Sequence, residues 1–436
     1  MLRELILICR LLLYRLLSAC LLFNGRCWRL LYLLLWFFST TFDAKEGIVR
    51  IFITTDWTSP CHVCIKGVIV LKNFYYNILD MAIAISLKQS HTYVYSDRPT
   101  EVGFIVYIVP QQGAITSSIH YIIMIDNSPS MRGEKLNTAV QSAQKLLYSL
   151  NEGDYVTLIL FSNHPEIKYQ GPAKGIITFD VGKGYTTRLH EAVNFALNLA
   201  KQSQVPNKII MLTDGKPTDK RNVKDYEKFD IPPNTQIITI GIGSDYNERI
   251  LKKLADKSSG KFYHLKDISE LPDVFESQRT TSTYAHNLNL IVPQGFMPFN
   301  YDLPIRIPIV EKLIAVYGSF VIPAGKDPYT ITFTADYIDP IDNQRKTVTK
   351  SVILQRGNPE VVESHLDRDV ILEIRYYRLL REYSEALEAG KDTTKVLNEL
   401  KRVADETRKP ELIEETKKLS NDSKSDLSEI TRKMRQ

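Results

Sequence analysis

"YIIMIDNSPSM" occupies residues 121–131, and how it is read decides how the whole chain is read. An apolar run stops at Asp126, and two hydroxyls, Ser128 and Ser130, follow at once. Turns after strands favour Asp, Asn, Ser and Pro for local reasons, and an isolated D-x-S-x-S serves equally well as a helix N-cap. The neighbouring segments have to decide between turn chemistry and something more specific.

Those segments alternate. "SIHYIIMID", "DYVTLILFS", "NKIIMLTDG" and "TQIITIGIG" are near-continuous apolar runs of strand length, and "KFYHL" is a shorter one. Between them, "GEKLNTAVQSAQKLLYSL" repeats Leu136, Val140, Ala143, Leu146 and Leu147 at helical spacing. "TRLHEAVNFALNLAKQ" does the same with Leu189, Val193, Ala196 and Leu197, and "NERILKKLADKSSG" and "ISELPDVFES" are helical as well. Buried strands alternating with amphipathic helices predict a doubly wound, mostly parallel α/β domain over 117–280. In such sheets a ligand sits beyond the carboxyl ends of the strands, near the switch in strand order. Asp126 is at one such end.

Two more segments end on the same expected rim. "KGYTTRLHEAV" puts Thr186 and Thr187 just ahead of a helix, and "MLTDGKPTD" puts Asp214 at the end of a strand. Two serines, a threonine and two aspartates suit a small hard cation, Mg²⁺ or another divalent ion such as Mn²⁺. Neutral hydroxyls as ligands leave most of the positive charge unquenched, while carboxylates behind them orient hydroxyls and waters. Such an ion would accept an acidic group from another molecule. That is an adhesion or assembly site, not a catalytic one.

These residues resemble the metal-ion-dependent adhesion site of von Willebrand factor A (vWA) domains. The likeness extends through "MIDNSPSM", "LNEGDYVTLILFS", "TRLHEAV", "LTDGKPTD" and "TIGIGSDYNERILKKLADKSSGKFYHL", in that order. It implies a metal site of Asp126, Ser128, Ser130, Thr187 and Asp214, with Ser128, Ser130 and Thr187 as direct ligands. Where the family usually has Gly-Gly before the threonine, this chain has Tyr185-Thr186, so Thr186 is the alternative ligand. Thr187 keeps the better spacing to Leu189 and Ala192.

Outside the α/β region, residues 81–116 and 281–358 read as short strands between Pro, Gly and Asp turns. They are expected to form one β-sandwich into which the α/β domain is inserted. Residues 359–420 are helical in pattern, with "DRDVILEIRYYRLLREYSEALEAG" closed by Gly390. Residues 421–436 are polar and are expected to be a mobile tail. Ser420, just ahead of it, and its Ser423, Ser425, Ser428 and Thr431 are candidates for phosphorylation, which adds charge and acceptor oxygens that a partner can grip.

This layout is similar to the archaeal vWA proteins of the archaellum regulatory network (the ArnB-like group). The resemblance implies a cytoplasmic, non-enzymatic phosphoprotein modified by Ser/Thr protein kinases and a phosphatase. It would bind a forkhead-associated (FHA) domain protein and help repress motility genes. Because FHA domains read phosphothreonine, Thr431 is the first candidate.

Residues 1–80 differ from the rest. All 5 cysteines and all 3 tryptophans of the 436-residue chain lie there, in a Leu/Arg-rich extension. Arg10, Arg15, Arg26 and Arg29 break residues 1–42 below the length of a membrane span. A membrane-surface helix is a second reading. We expect instead that translation starts at Met81. If residues 1–42 are real, a membrane-tethered adhesion protein becomes the rival function; an accessory subunit of an ATPase or metal-insertion complex is a third. "CHVC" at 61–64 has no second metal-binding pair.

A net charge of +5 and the absence of a dense basic run give no case for nucleic acid. "GKGYTT" lacks phosphate-loop order, "GIGSDY" lacks a third glycine, and no Ser-His-Asp or Cys-His set can be assembled. His190, His264 and the Tyr376–Tyr377 pair are expected to pack. The chain therefore reads as a binding module and not as an enzyme.

Overall fold

The computed structural model describes residues 82–111, 118–175 and 182–435, and the backbone of a hairpin in the extension. That hairpin, β1 (Phe38–Asp43) with antiparallel β2 (Ile48–Ile53), belongs to a separate compact unit. The readings of residues 1–37 and of "CHVC" fall outside the described residues.

From Met81 the chain forms one unit. Strands β3 (Ile83–Gln89), β4 (Tyr93–Tyr95) and β5 (Thr100–Pro110) open a sandwich. An α/β domain follows: β6 (His120–Asp126), α1 (Glu134–Ser149), β7 (Tyr155–Phe161), β8 (Pro165–Pro172), α2 (Leu189–Gln202), β9 (Asn207–Thr213), α3 (Val223–Glu227), β10 (Thr235–Ile242), α4 (Glu248–Lys257), β11 (Phe262–Leu265) and α5 (Leu271–Glu276). The sandwich resumes with β12 (Ala285–Ile291), β13 (Met297–Pro298), β14 (Ile305–Val310), β15 (Ile314–Ile322), β16 (Tyr329–Ile338) and β17 (Arg345–Gly357). Helices α6 (Pro359–Ser364), α7 (Arg368–Ala389), α8 (Thr394–Thr407), α9 (Pro410–Lys417) and α10 (Ser423–Met434) complete the chain.

The α/β sheet has the order β11-β10-β9-β6-β7-β8 and is parallel except for the edge strand β8. Every residue of β6 and β9 is buried, which explains their unbroken apolar sequence. Alternate residues face opposite layers. Tyr121, Ile123 and Ile125 pack in the layer that holds Leu136, Ala143 and Leu147 of α1 and Phe275 of α5. Ile122 and Met124 pack with Val193 of α2, Leu254 of α4 and the C-terminal helices. The chain leaves β6 toward β7 and returns to β9 on the other side, so the switch in strand order lies between β6 and β9.

Two further sheets, β14-β12-β16-β17-β4 and β13-β15-β5-β3, enclose a third core that includes Phe104, Leu288 and Phe333. The early strands β3, β4 and β5 share these sheets with strands that follow the α/β domain. The architecture is thus a doubly wound α/β domain inserted in a β-sandwich, with a helical C-terminal region.

Residues 421–436 correct one expectation. Where a polar tail was expected, residues 423–434 form α10, with Leu427, Ile430, Thr431 and Met434 buried. The i, i+3, i+4, i+7 spacing of these four residues gives a narrow inward face that average polarity hides. The Thr431 hydroxyl, fully buried, donates to the Leu427 carbonyl at 2.7 Å. Ser428 is buried too; its hydroxyl accepts the His264 amide at 3.0 Å and faces the Phe262 carbonyl at 3.2 Å. Ser420 is exposed, and Ser423 and Ser425 are half-buried. In the packed chain, Thr431 and Ser428 are therefore closed to a kinase.

Candidate metal centre

The switch in strand order delivers the site. Strand β6 ends on Asp126 and β9 ends on Thr213, so Asp126 and Asp214 emerge on one rim. Asp126 is fully buried: Oδ1 accepts the Ser128 amide at 2.8 Å and Oδ2 accepts the Thr213 hydroxyl at 2.6 Å. The carboxylate thereby fixes the turn that carries the two serines. Their hydroxyl oxygens stand 3.1 Å apart. The Ser130 hydroxyl donates to Asp214 Oδ1 at 2.7 Å, closing a gap of 84 residues.

The third segment arrives by way of the loop after β7. The Ser162 hydroxyl donates to the Thr186 carbonyl at 2.6 Å, and the Thr186 hydroxyl turns back to the Ser162 carbonyl at 2.9 Å. Thr186 is thus engaged away from the serines. Thr187 is buried, its amide donates to the Thr218 hydroxyl at 3.2 Å, and the Thr218 amide donates to its carbonyl at 2.8 Å. A Cβ placed on Gly215 would lie 3.5 Å from Thr187 Oγ1 and 3.7 Å from Ser130 Oγ, so both hydroxyls border the same small space. Glycine at 184 is required for a separate reason: a Cβ there would stand 2.1 Å from the Asn127 carbonyl oxygen. The unusual Tyr185 is 67% exposed and points away from this crowding.

The electrostatics suit a cation. Burial pushes the Asp126 carboxyl up to about 7, the negative charge of Asp214 pushes the same way, and hydrogen bonds from Thr213 and Ser128 oppose both. One positive group is already there, Lys135 on α1, whose ammonium meets Asp214 Oδ2 at 2.5 Å. Among the described residues no cluster of three His, Cys, Asp or Glu side chains suggests a carboxylate- or imidazole-rich metal cage. The donor set is three hydroxyls with two carboxylates, which fits a hard, oxygen-seeking ion. Thr213, Ser162, Gly184 and Lys135 complete the setting and escaped sequence reasoning. Only Thr213, adjoining Asp214 in "LTDG", carried a visible cue.

His190, His264 and Tyr377 have ring or hydroxyl partners inside the fold. His190 stacks on Phe229 with ring centroids 4.6 Å apart, His264 Nδ1 meets the Tyr246 hydroxyl at 2.6 Å, and Tyr377 stacks on Tyr317 at 3.6 Å.

Comparison with known proteins identifies the fold and the family. Residues 122–277 match the family model of the von Willebrand factor type A domain, and residues 368–436 match that of the archaellum regulatory network B, C-terminal domain. The crystal structure of the ArnB paralog VWA2 from Sulfolobus acidocaldarius is similar, with 43% identity and a TM-score of 0.76, over 81% of this chain and 98% of that one. A von Willebrand factor type A protein from Catenulispora acidiphila shares the fold at 15% identity and a TM-score of 0.58, over 78% of this chain and 90% of that one. Among curated proteins, inter-alpha-trypsin inhibitor heavy chain H1 of Sus scrofa is 23% identical over 282 residues, 57% of this chain and only 30% of its own length.

Proposed function

We propose, from the premise that this chain belongs to the ArnB-like von Willebrand factor A family, that it is a non-enzymatic interaction module of an archaellum regulatory network. Its working face is the β6–β9 rim. There Ser128, Ser130 and Thr187 would hold Mg²⁺ or another divalent ion, with Asp126 and Asp214 orienting them from behind. When bound, the ion supplies an electrophilic position for a carboxylate from a partner. The chain's own residues do the rest: Asp126 fixes the serine turn, Gly184 lets the threonine loop approach, and Thr186 ties that loop to Ser162. Arg132 donates to the Gly184 carbonyl at 2.6 Å and lies beside the exposed Tyr185 ring, giving the rim a cationic and aromatic border suited to an acidic partner.

The observation that carries this reading is the 2.7 Å contact between Ser130 and Asp214, from opposite sides of the strand-order switch. The finer reading is that of a cytoplasmic regulator, phosphorylated by Ser/Thr kinases and reset by a phosphatase, whose phosphorylated form binds an FHA-domain protein to repress motility genes. With α10 docked, Ser420 is the open hydroxyl. Recognition of phosphorylated Thr431 requires α10 to leave its seat first. No helix among the described residues is long and apolar enough to cross a membrane.

Affinity capture from native lysate, with and without phosphatase and with Mg²⁺ or chelator, tests both halves. Wild type should lose its main partner after phosphatase treatment, and Asp126→Ala and Thr187→Ala should lose the Mg²⁺-dependent partners. Retention of every partner after dephosphorylation rejects the phosphorylation reading. Indifference to chelator in wild type rejects the metal face.

A further inference from the structure

The C-terminal helices create a second polar site, remote in sequence from the metal-centre residues. A cavity of about 280 Å³ lies where β11, the β14–β15 turn, α9 and α10 meet. Five cationic side chains and two carboxylates line it. The carboxylates are already committed, Glu415 to Lys433 and Glu429 to Arg432. Lys261, Lys312 and Lys418 have no carboxylate at ion-pair distance among the described residues; the nearby Glu311 is held by Lys208 at 2.8 Å and by the Thr280 hydroxyl. Arg432 keeps its Nε–H buried with no acceptor among the described residues, while its guanidinium lies over the Tyr263 ring.

Burial, then the charge of Lys312, with smaller contributions from Lys208 and Arg432, draws the Lys261 ammonium down to about 8, against a partial offset from Glu311. Lys312 and Lys418 are exposed and Lys261 is half-buried, so the buried Arg432 Nε–H is the group left without an acceptor, and an anion entering the cavity would meet it together with the three ammonium groups. The donors are of the kind that grip phosphate oxygens: a guanidinium for directed hydrogen bonds and ammonium groups as point charges. The volume is slightly below the range of drug-sized pockets, about 300–1,000 Å³, which favours a small ligand.

We propose that this cavity is a phosphate-binding site in which Lys261, Lys312, Lys418 and Arg432 hold a phosphate group between the α/β domain and the C-terminal helices. Occupation fastens α9 and α10 to β11 by sharing one anion among them. The phosphate comes either from a small soluble molecule or from a phosphorylated side chain of another protein; the recognition chemistry is the same. The site uses none of the metal-centre residues and stands or falls separately.

Competitive lysine acylation of the full chain, read by mass spectrometry at neutral pH, tests it. Lys261 should react faster than the exposed Lys350. Inorganic phosphate or tripolyphosphate should slow Lys261 about tenfold when present at about ten times its Kd, with Lys350 unaffected and chloride at equal ionic strength inactive. A phosphoserine peptide tested alongside distinguishes the sources: protection by the peptide at lower concentration than by free phosphate identifies a protein-borne group, and the reverse a soluble one. Lys418→Gln should abolish the protection. As a check that does not rely on reactivity, Lys261→Met should raise the Tm without phosphate and remove the rise that phosphate gives wild type. Equal protection by chloride, or none by any phosphate probe, overturns the proposal.

Discussion

Residues 126–130 and residues 420–431 are both short, polar and rich in Ser and Asp, yet the chain uses them in opposite ways. In the first, a fully buried strand ends in a fixed turn, and the hydroxyls of Ser128 and Ser130 are presented on a rim beside Asp214. In the second, helical spacing turns the polar groups inward. The Asp426 carboxylate, wholly buried, accepts the Tyr383 hydroxyl at 2.6 Å and the Asn421 amide at 2.8 Å, and so fixes the turn into α10. One Ser/Asp cluster is the proposed cation site; the other ties a helix to its neighbours. Composition does not separate them. The element that delivers each one does.

The comparison breaks most readily in α10. Leu427→Ala deletes a fully buried side chain, and a Leu-to-Ala change in a core costs about 2–5 kcal/mol. Urea unfolding should show that loss, and limited proteolysis should then cut near residue 420. A cost near zero would mean that α10 is not seated as described. Asp426→Ala should follow at about 2–3 kcal/mol, because it leaves the Tyr383 hydroxyl and the Ser420 and Asn421 amides without their acceptor. Thr431→Glu forces a charge into the same buried place and should lower the Tm, whereas the turn at residues 126–130, remote in sequence, would be untouched.

The rim responds differently. Mg²⁺ at one hundred times its Kd should stabilise the chain by about 2.7 kcal/mol, reversibly by chelation, without altering the unfolding slope. Scanning calorimetry with and without chelator measures it. The smallest effect is expected at Ser420→Glu. Its side chain is exposed, and the change should stay within about 0.5 kcal/mol. A large loss there would show that the α9–α10 connection bears more of the packing than the exposed hydroxyl implies.

The α/β domain was legible because its strands are buried on both faces and its helices repeat a regular apolar stripe; Ile122 to Ile125 and Ile209 to Leu212 leave little choice. That Asp126 and Asp214 emerge on one rim followed from the strand ends, whereas the choice of Thr187 over Thr186 rested on its spacing to Leu189 and Ala192 and on the family resemblance. The edge strand β8 was not legible, since most of its residues are partly or fully exposed and only Ile167 and Tyr169 supply large apolar groups. Helix α10 was misread because only Leu427, Ile430 and Met434 supply large apolar groups, and the remaining contacts are polar side chains with buried partners. Lys135 and Ser162 were invisible for another reason: their roles depend on distance across the fold and on no local pattern.

The central claim is that three loops from separate parts of the chain share one divalent ion. Calorimetric titration of Mg²⁺ into metal-stripped full-length protein, comparing wild type with Thr186→Ala and Thr187→Ala, tests it most directly. The account predicts one bound ion in wild type and in Thr186→Ala, and none in Thr187→Ala. Undiminished binding in Thr187→Ala, or no binding in wild type, would contradict it.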